Sequence, residues 1–192
     1  MIHSKDLLDR LGRFSTCDFS GEVFRATRMG LEALTPSTRG GRWSPPDMLG
    51  DTESVATLYT SCIREGALAE LAFHYSLFTP FPSKPVKLHR LQLTTKKNLR
   101  LLQADLVSLG VVWADYPTLD YAKTQLIGAA VAFLGCDGLI APSARWPCEN
   151  LMLFPTNHAF ESELQVVHSE EIALKEWARQ HQFLVQEAGE TD

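Results

Sequence analysis

Short apolar runs whose period changes several times along the chain mark its elements. Leu7, Leu8 and Leu11 form one stripe behind Ser4, which predicts a capped helix ending at Gly12. Alternation over Gly21–Thr27 predicts a strand with Val23, Arg25 and Thr27 on one face and Phe24 and Ala26 on the other. A second β-rich run, Val55–Ser61, leads into a helix expected from Ile63 to about Tyr75. Ser61 is its expected cap, Ala67, Leu68, Leu71, Ala72 and Tyr75 point inward, and Glu70 stands beside that stripe. Val86–Leu93 reads as a strand whose phase slips near His89 and Arg90, as at a bulge, and Leu99–Leu102 as another short one. Apolar residues at three- and four-residue steps make Leu119–Leu134 the clearest helix, ended by Gly135. Gly138–Ala141, Leu151–Phe154 and Leu164–His168 are further apolar runs. Ser169 is expected to cap a last amphipathic helix bearing Ile172, Leu174 and Trp177. Strands and helices in this irregular order favour an α+β fold over a doubly wound sheet.

Composition narrows the class without choosing a function. The 192 residues suit one domain with its own core. The expected organisation is a helical extension over residues 1–20, the main domain over 21–169, and a helix and tail over 170–192. A net charge of −5 argues against a broad nucleic-acid footprint while leaving room for small anions. Cys17, Cys62, Cys136 and Cys148 lack metal or redox spacing and are expected to be reduced and structural, with no metal site. Charges interrupt the amino terminus and no apolar run reaches spanning length, so the expectation is a cytoplasmic protein without membrane contact.

The candidate chemistry gathers around the stretch from Leu34 to Asp51, where Pro36, Gly40, Gly41, Pro45, Pro46 and Gly50 forbid regular structure. Gly40 and Gly41 between Arg39 and Arg42 offer backbone N–H groups and guanidinium forks suited to a phosphate, although exposed arginines on a glycine turn read the same way. The spacing matches neither a dinucleotide-binding fingerprint nor a P-loop. Tyr59 lies on the less apolar face of its strand. Taken singly, Arg25 is a solvated strand residue and Glu70 a helix-boundary carboxylate.

Together these residues carry a resemblance. Phe24-Arg25, Gly40-Gly41-Arg42-Trp43, Leu58-Tyr59, Ala67-Leu68-Ala69-Glu70 with His74, Ala141-Pro142-Ser143-Ala144, and Glu149-Asn150 with Pro155, His158 and Phe160 follow the order of the RES domain family. That family supplies toxins of bacterial toxin–antitoxin pairs, and the resemblance covers about three quarters of the chain. Ser44 and Phe154 stand where the family usually has asparagine.

The resemblance implies a fold similar to ADP-ribosyltransferase toxins, with a twisted, split sheet flanked by helices, and NAD as substrate. Under it, Glu70, Arg25, Ser143 and Tyr59 are the expected catalytic set. Arg25, Gly40, Gly41, Arg42, Tyr59, Ser143, Asn150 and His158 would bind NAD, with the arginines on pyrophosphate and Tyr59 against nicotinamide. Asn150 and His158 could equally satisfy backbone groups behind the pocket. The acceptor stays open between water, phosphate and a protein side chain. The implied partner is an Xre-type helix-turn-helix antitoxin, through which alone DNA would be reached, with a homodimer conceivable inside that complex. Two other readings are a non-catalytic binding protein of the same fold and a hydrolase built on Ser143 and His158, the latter without the usual nucleophile elbow.

Overall fold

One long strand carries the sheet. The structure is a computed structural model describing residues 4–46 and 55–184. Its elements run α1 (Lys5–Leu11), β1 (Thr16–Arg28), β2 (Leu58–Ser61), α2 (Arg64–Ser76), β3 (Val86–Arg100), α3 (Gln103–Ser108), α4 (Ala122–Phe133), β4 (Gly138–Pro142), β5 (Glu149–Leu153), α5 (Phe160–Glu163), β6 (Leu164–Ile172) and α6 (Leu174–Gln180). The strand order is β1-β2-β5-β4-β3-β6, and β1 also pairs with β3. Five strands therefore close into a ring, with β6 outside it on β3. All pairings are antiparallel except β3 with β4. The fold is α+β, as the sequence led us to expect.

The ring has one weak seam. β1 and β3 pair along almost their whole length, whereas β1 and β2 share only the pair Phe24↔Ser61. Beyond it the strands diverge, leaving β2 backbone groups to find other partners. Val23, Leu58, Leu91, Leu93, Ile140, Leu151 and Leu153 pack in one cluster contributed by all five ring strands. A larger cluster joins α1, α3 and α4 to β4 and β5 through Leu11, Leu106, Ile127, Val131, Leu139 and Met152. A third joins α2 and α6 to the start of β3.

Several sequence expectations change. Val86–Leu93 and Leu99–Leu102 are parts of one strand, β3, which ends at Arg100. Its polar middle stays extended because Asp137 Oδ2 accepts the N–H groups of Lys96 and Lys97 at 2.7 and 3.0 Å, and Asn98 Nδ2 donates to the Cys17 carbonyl at 3.1 Å. The bulge expected near His89 is present between Arg90 and Leu91, in the pairing with β6. Ser61 does not cap α2. The N-cap is Ile63, and the Ser61 hydroxyl lies 3.4 Å from Cys148 Sγ. Ser169 caps nothing either: β6 continues to Ile172, the final helix starts at Leu174, and Ser169 Oγ meets His89 Nδ1 at 2.7 Å. The clearest helix starts at Ala122 rather than Leu119, after Asp120 Oδ1 accepts the Ala122 N–H. Residues 47–54, which hold the end of the expected loop, lie outside the described residues.

Candidate functional site

A cavity of about 580 Å³ opens where β1 and β2 part. That volume falls in the range of small-molecule sites, roughly 300–1,000 Å³. Helix α2 gives it one wall through Ala67, Glu70, Leu71 and His74, which the 3.6-residue period brings to one face. Close approach of α2 to the sheet depends on Gly66, where a methyl would lie 2.2 Å from Ser61 Oγ and 2.6 Å from Cys148 Sγ. The loop residues Arg39 to Trp43 form a second wall, and Tyr121 and Gln125 of the α4 region a third.

Glu70 is the fixed point of the site. Ser143 Oγ donates to its Oε1 at 2.7 Å and Asn150 Nδ2 to the same oxygen at 2.8 Å. The other oxygen, Oε2, accepts no hydrogen bond from the described residues. Ser143 is itself oriented by the turn it begins, accepting the N–H groups of Arg145 and Trp146 at 3.1 and 3.2 Å. Two donors distant in sequence from α2 thus hold one carboxylate oxygen and leave the other without a donor among the described residues.

Arg25 spans the seam. Its Nη1 donates to the Tyr59 carbonyl at 3.2 Å and its Nη2 to the Thr35 carbonyl at 2.9 Å, so the guanidinium occupies the gap left by the missing β1–β2 pairing. Neither partner is charged, and Arg25 Nε is buried without an acceptor among the described residues. Burial lowers its pKa from the usual arginine value to about 10. An uncompensated buried cation of this kind favours an anion in the cavity.

Tyr59 lies on the cavity face, and both of its ends are committed. Its hydroxyl accepts the Trp43 N–H at 3.2 Å and sits 2.9 Å from Ser44 Oγ, and burial pushes its pKa up to about 12. Ser44 is fully buried in this contact. Phe154 is a fully buried member of the helix-side core. Gly40 takes φ +80°, the left-handed region that favours glycine, and Gly41 passes so close to Tyr59 that a Cβ would lie 2.5 Å from its hydroxyl. The twin glycine therefore lets the loop close over Tyr59.

Arg42 lines the cavity with its guanidinium between two aromatic faces, 4.7 Å from the Tyr116 centroid and 4.6 Å from that of Tyr121. Its Nη2 donates to the Thr118 carbonyl at 3.2 Å, and its Nη1 is buried without an acceptor among the described residues. Gln125 Nε2 holds the Gly41 carbonyl at 3.0 Å, so the basic loop is latched to the start of α4. Neither Tyr121 nor Gln125 carries a local sequence signal of function. Their four-residue spacing is visible only once the α4 start is known.

His74 closes the α2 row at the exposed rim, and desolvation lowers its pKa against the opposing effect of Glu70, with Arg145 and Arg42 adding to the lowering. Arg145 sets its guanidinium 3.2 Å from the Phe73 centroid and donates a hydrogen bond to the Pro117 carbonyl. His158 is not brought to the site. It is buried, with Nε2 2.7 Å from the Thr94 carbonyl and its ring edge-on to Phe160, so it satisfies backbone away from the cavity. Ser143 and His158 therefore form no catalytic pair. The four cysteines are free thiols, and burial raises the pKa of Cys62, Cys136 and Cys148. No group of three or more metal-ligating side chains occurs among the described residues, and no described helix is long and apolar enough to cross a membrane.

Among the charged groups lining the cavity, Arg25, Arg39 and Arg42 lie on the sheet and loop side and Glu70 on the helix side. The family model for the RES domain matches residues 11–175. A chain from the crystal structure of the M. tuberculosis MbcT-MbcA toxin-antitoxin complex shares the fold at a TM-score of 0.78 and 20% identity, over 92% of this chain and 97% of that one. No curated protein matches the chain.

Proposed function

The chain belongs to the RES domain family, and we propose that its cavity takes NAD, that Glu70 promotes cleavage of the nicotinamide–ribose bond, and that the protein is the toxin of a toxin–antitoxin pair. The observation that carries the reading is the polarity of the cavity: among the described residues three arginines line it with a single carboxylate, and one oxygen of that carboxylate is fixed by two hydrogen bonds. NAD has the matching polarity, an anionic pyrophosphate joined to a ribose that bears a cationic pyridinium. Arg25 lacks an anionic partner among the described residues, and Arg39 and Arg42 add charge along the loop.

In the reaction the C1′–N bond breaks, its electron pair leaves with nicotinamide, and positive charge develops on the ribose ring. Glu70 Oε2 is the group available to hold a ribose hydroxyl and stabilise that charge, with Ser143 and Asn150 keeping the carboxylate from rotating. The ring of Tyr59 offers a flat surface to nicotinamide and needs no rearrangement, since its hydroxyl is already held. An acceptor then adds to C1′ and loses its proton. Water gives ADP-ribose, inorganic phosphate gives ADP-ribose 1″-phosphate, and a protein side chain gives an ADP-ribosylated protein.

A small acceptor is the favoured reading, and loss of NAD is the expected cause of growth arrest. The neighbour's assembly in a toxin-antitoxin complex supports the same role here; an Xre-type helix-turn-helix antitoxin as partner and the cytoplasm as the place of action are what the family resemblance implies. Induced expression in a bacterium tests it: the wild type should lower cellular NAD and stop growth, Glu70→Gln should do neither, and co-expression of a cognate helix-turn-helix antitoxin should restore growth. Growth arrest without a fall in NAD would favour the transferase reading. Arrest retained by Glu70→Gln would remove the carboxylate from the mechanism.

A further inference from the structure

Arg25 has no ion pair among the described residues, so its direction depends on two backbone carbonyls and on whatever packs against its stem. The residue paired directly opposite it is His89 on β3. Residues opposed in an antiparallel pair share a face, with Cβ atoms roughly 5 Å apart. His89 is only 4% exposed, and both ring nitrogens are engaged: Nε2 lies 3.0 Å from Thr27 Oγ1 on β1, and Nδ1 lies 2.7 Å from Ser169 Oγ on β6. A hydroxyl can donate or accept, so this pair of partners holds the neutral ring in either tautomer. The imidazole is fixed in plane by strands on both sides and cannot turn away from Arg25.

We propose that His89, clamped between Thr27 and Ser169, is a positioning residue that directs Arg25 across the seam into the cavity, so that the outer strand β6 helps to set ligand affinity. The inference rests on the cavity being the NAD site. Charge fits the geometry: desolvation, Arg25 and Lys87 all lower the pKa of His89, and Glu32 alone opposes them, which keeps the ring neutral beside the guanidinium near pH 7. Ser169 makes the prediction distinctive, because it belongs to a strand that contributes no residue to the cavity lining.

The test is a double-mutant cycle on binding of ADP-ribose, which carries the pyrophosphate and is not cleaved, measured by calorimetry. His89→Ala should weaken binding about tenfold, Ser169→Ala should weaken it in the same direction, and His89→Gln should recover most of the loss. In an Arg25→Lys background, His89→Ala and Ser169→Ala should each change affinity less than about twofold. Additive losses in that background, or wild-type affinity in Ser169→Ala, would overturn the proposal. The Arg25 Nε–Hε resonance of the ligand-free protein separates the two layers. A shift of that resonance in folded Ser169→Ala, with no ADP-ribose binding by the wild type, would uphold the coupling and sink the NAD reading. An unmoved resonance would sink the coupling itself.

Discussion

Gly41→Ala should disable the site through a single methyl group. The added Cβ would lie 2.5 Å from Tyr59 Oη, 2.8 Å from Cζ and 3.2 Å from Cε2, far inside normal contact. The backbone cannot yield easily, because the Gly41 N–H donates to the Ser44 carbonyl at 2.9 Å and its own carbonyl accepts from Gln125 at 3.0 Å. If the ring moves instead, its hydroxyl gives up the Trp43 N–H and Ser44 Oγ. Overpacking and an unsatisfied buried N–H each cost about 1–3 kcal/mol, and since one relieves the other the net loss should be about 2–3 kcal/mol. In a chain of this length that lowers Tm by roughly 4–12 °C. Scanning calorimetry measures it, and the loss should shrink in a Tyr59→Phe background, which removes the nearest atom of the clash. A Gly41→Ala protein that melts with the wild type, or whose loss is unchanged without the Tyr59 hydroxyl, would refute the reasoning.

Gly128→Ala should be more damaging, since its Cβ would lie 1.9 Å from the Trp43 carbonyl oxygen, a backbone atom that no rotamer change can move; urea unfolding should show a loss of at least about 3 kcal/mol. Ser143→Ala and Asn150→Ala each remove one donor from Glu70 Oε1, so turnover should fall about tenfold or more in each, and the double variant should lose less than the product of the two, as measured by steady-state kinetics. The folded pKa values of His74 and His89 are lowered, so the native state binds fewer protons than the unfolded one. Their stabilisation is present above the unfolded value of about 6.5 and is lost as pH falls below it toward the folded values. Tm should therefore drop between pH 7.5 and 5, and His74→Gln should flatten part of that slope.

Much of the fold was legible because period and punctuation agree locally. The helix ended by Gly135 and the strand at Gly138–Ala141 needed no distant information, and the phase slip near His89 marked a real bulge. Ser61 and Ser169 misled because a serine before an apolar run looks like a cap, whereas their hydroxyls meet Cys148, in the turn before β5, and His89 on β3. The unity of β3 was hidden because side chains of Asp137 and Asn98 support its polar middle. At the site, Arg25, Tyr59 and Glu70 could be named from the resemblance, but not what holds them. Glu70 depends on donors 73 and 80 residues away, and Arg25 on carbonyls exposed by a seam that only the strand order creates. His158 carried the same motif signal as Asn150, yet only Asn150 meets Glu70.

The central claim is that the fixed carboxylate of Glu70 drives nicotinamide release from NAD. Purified protein incubated with NAD, with and without inorganic phosphate, should release free nicotinamide, quantified by chromatography, beside ADP-ribose or its phosphate adduct. Glu70→Gln, with an unchanged near-ultraviolet circular dichroism spectrum, should release at least about a hundredfold less, as expected when a group that stabilises transition-state charge is removed. No nicotinamide from the wild type under any of these conditions, or equal release by folded Glu70→Gln, would contradict the account.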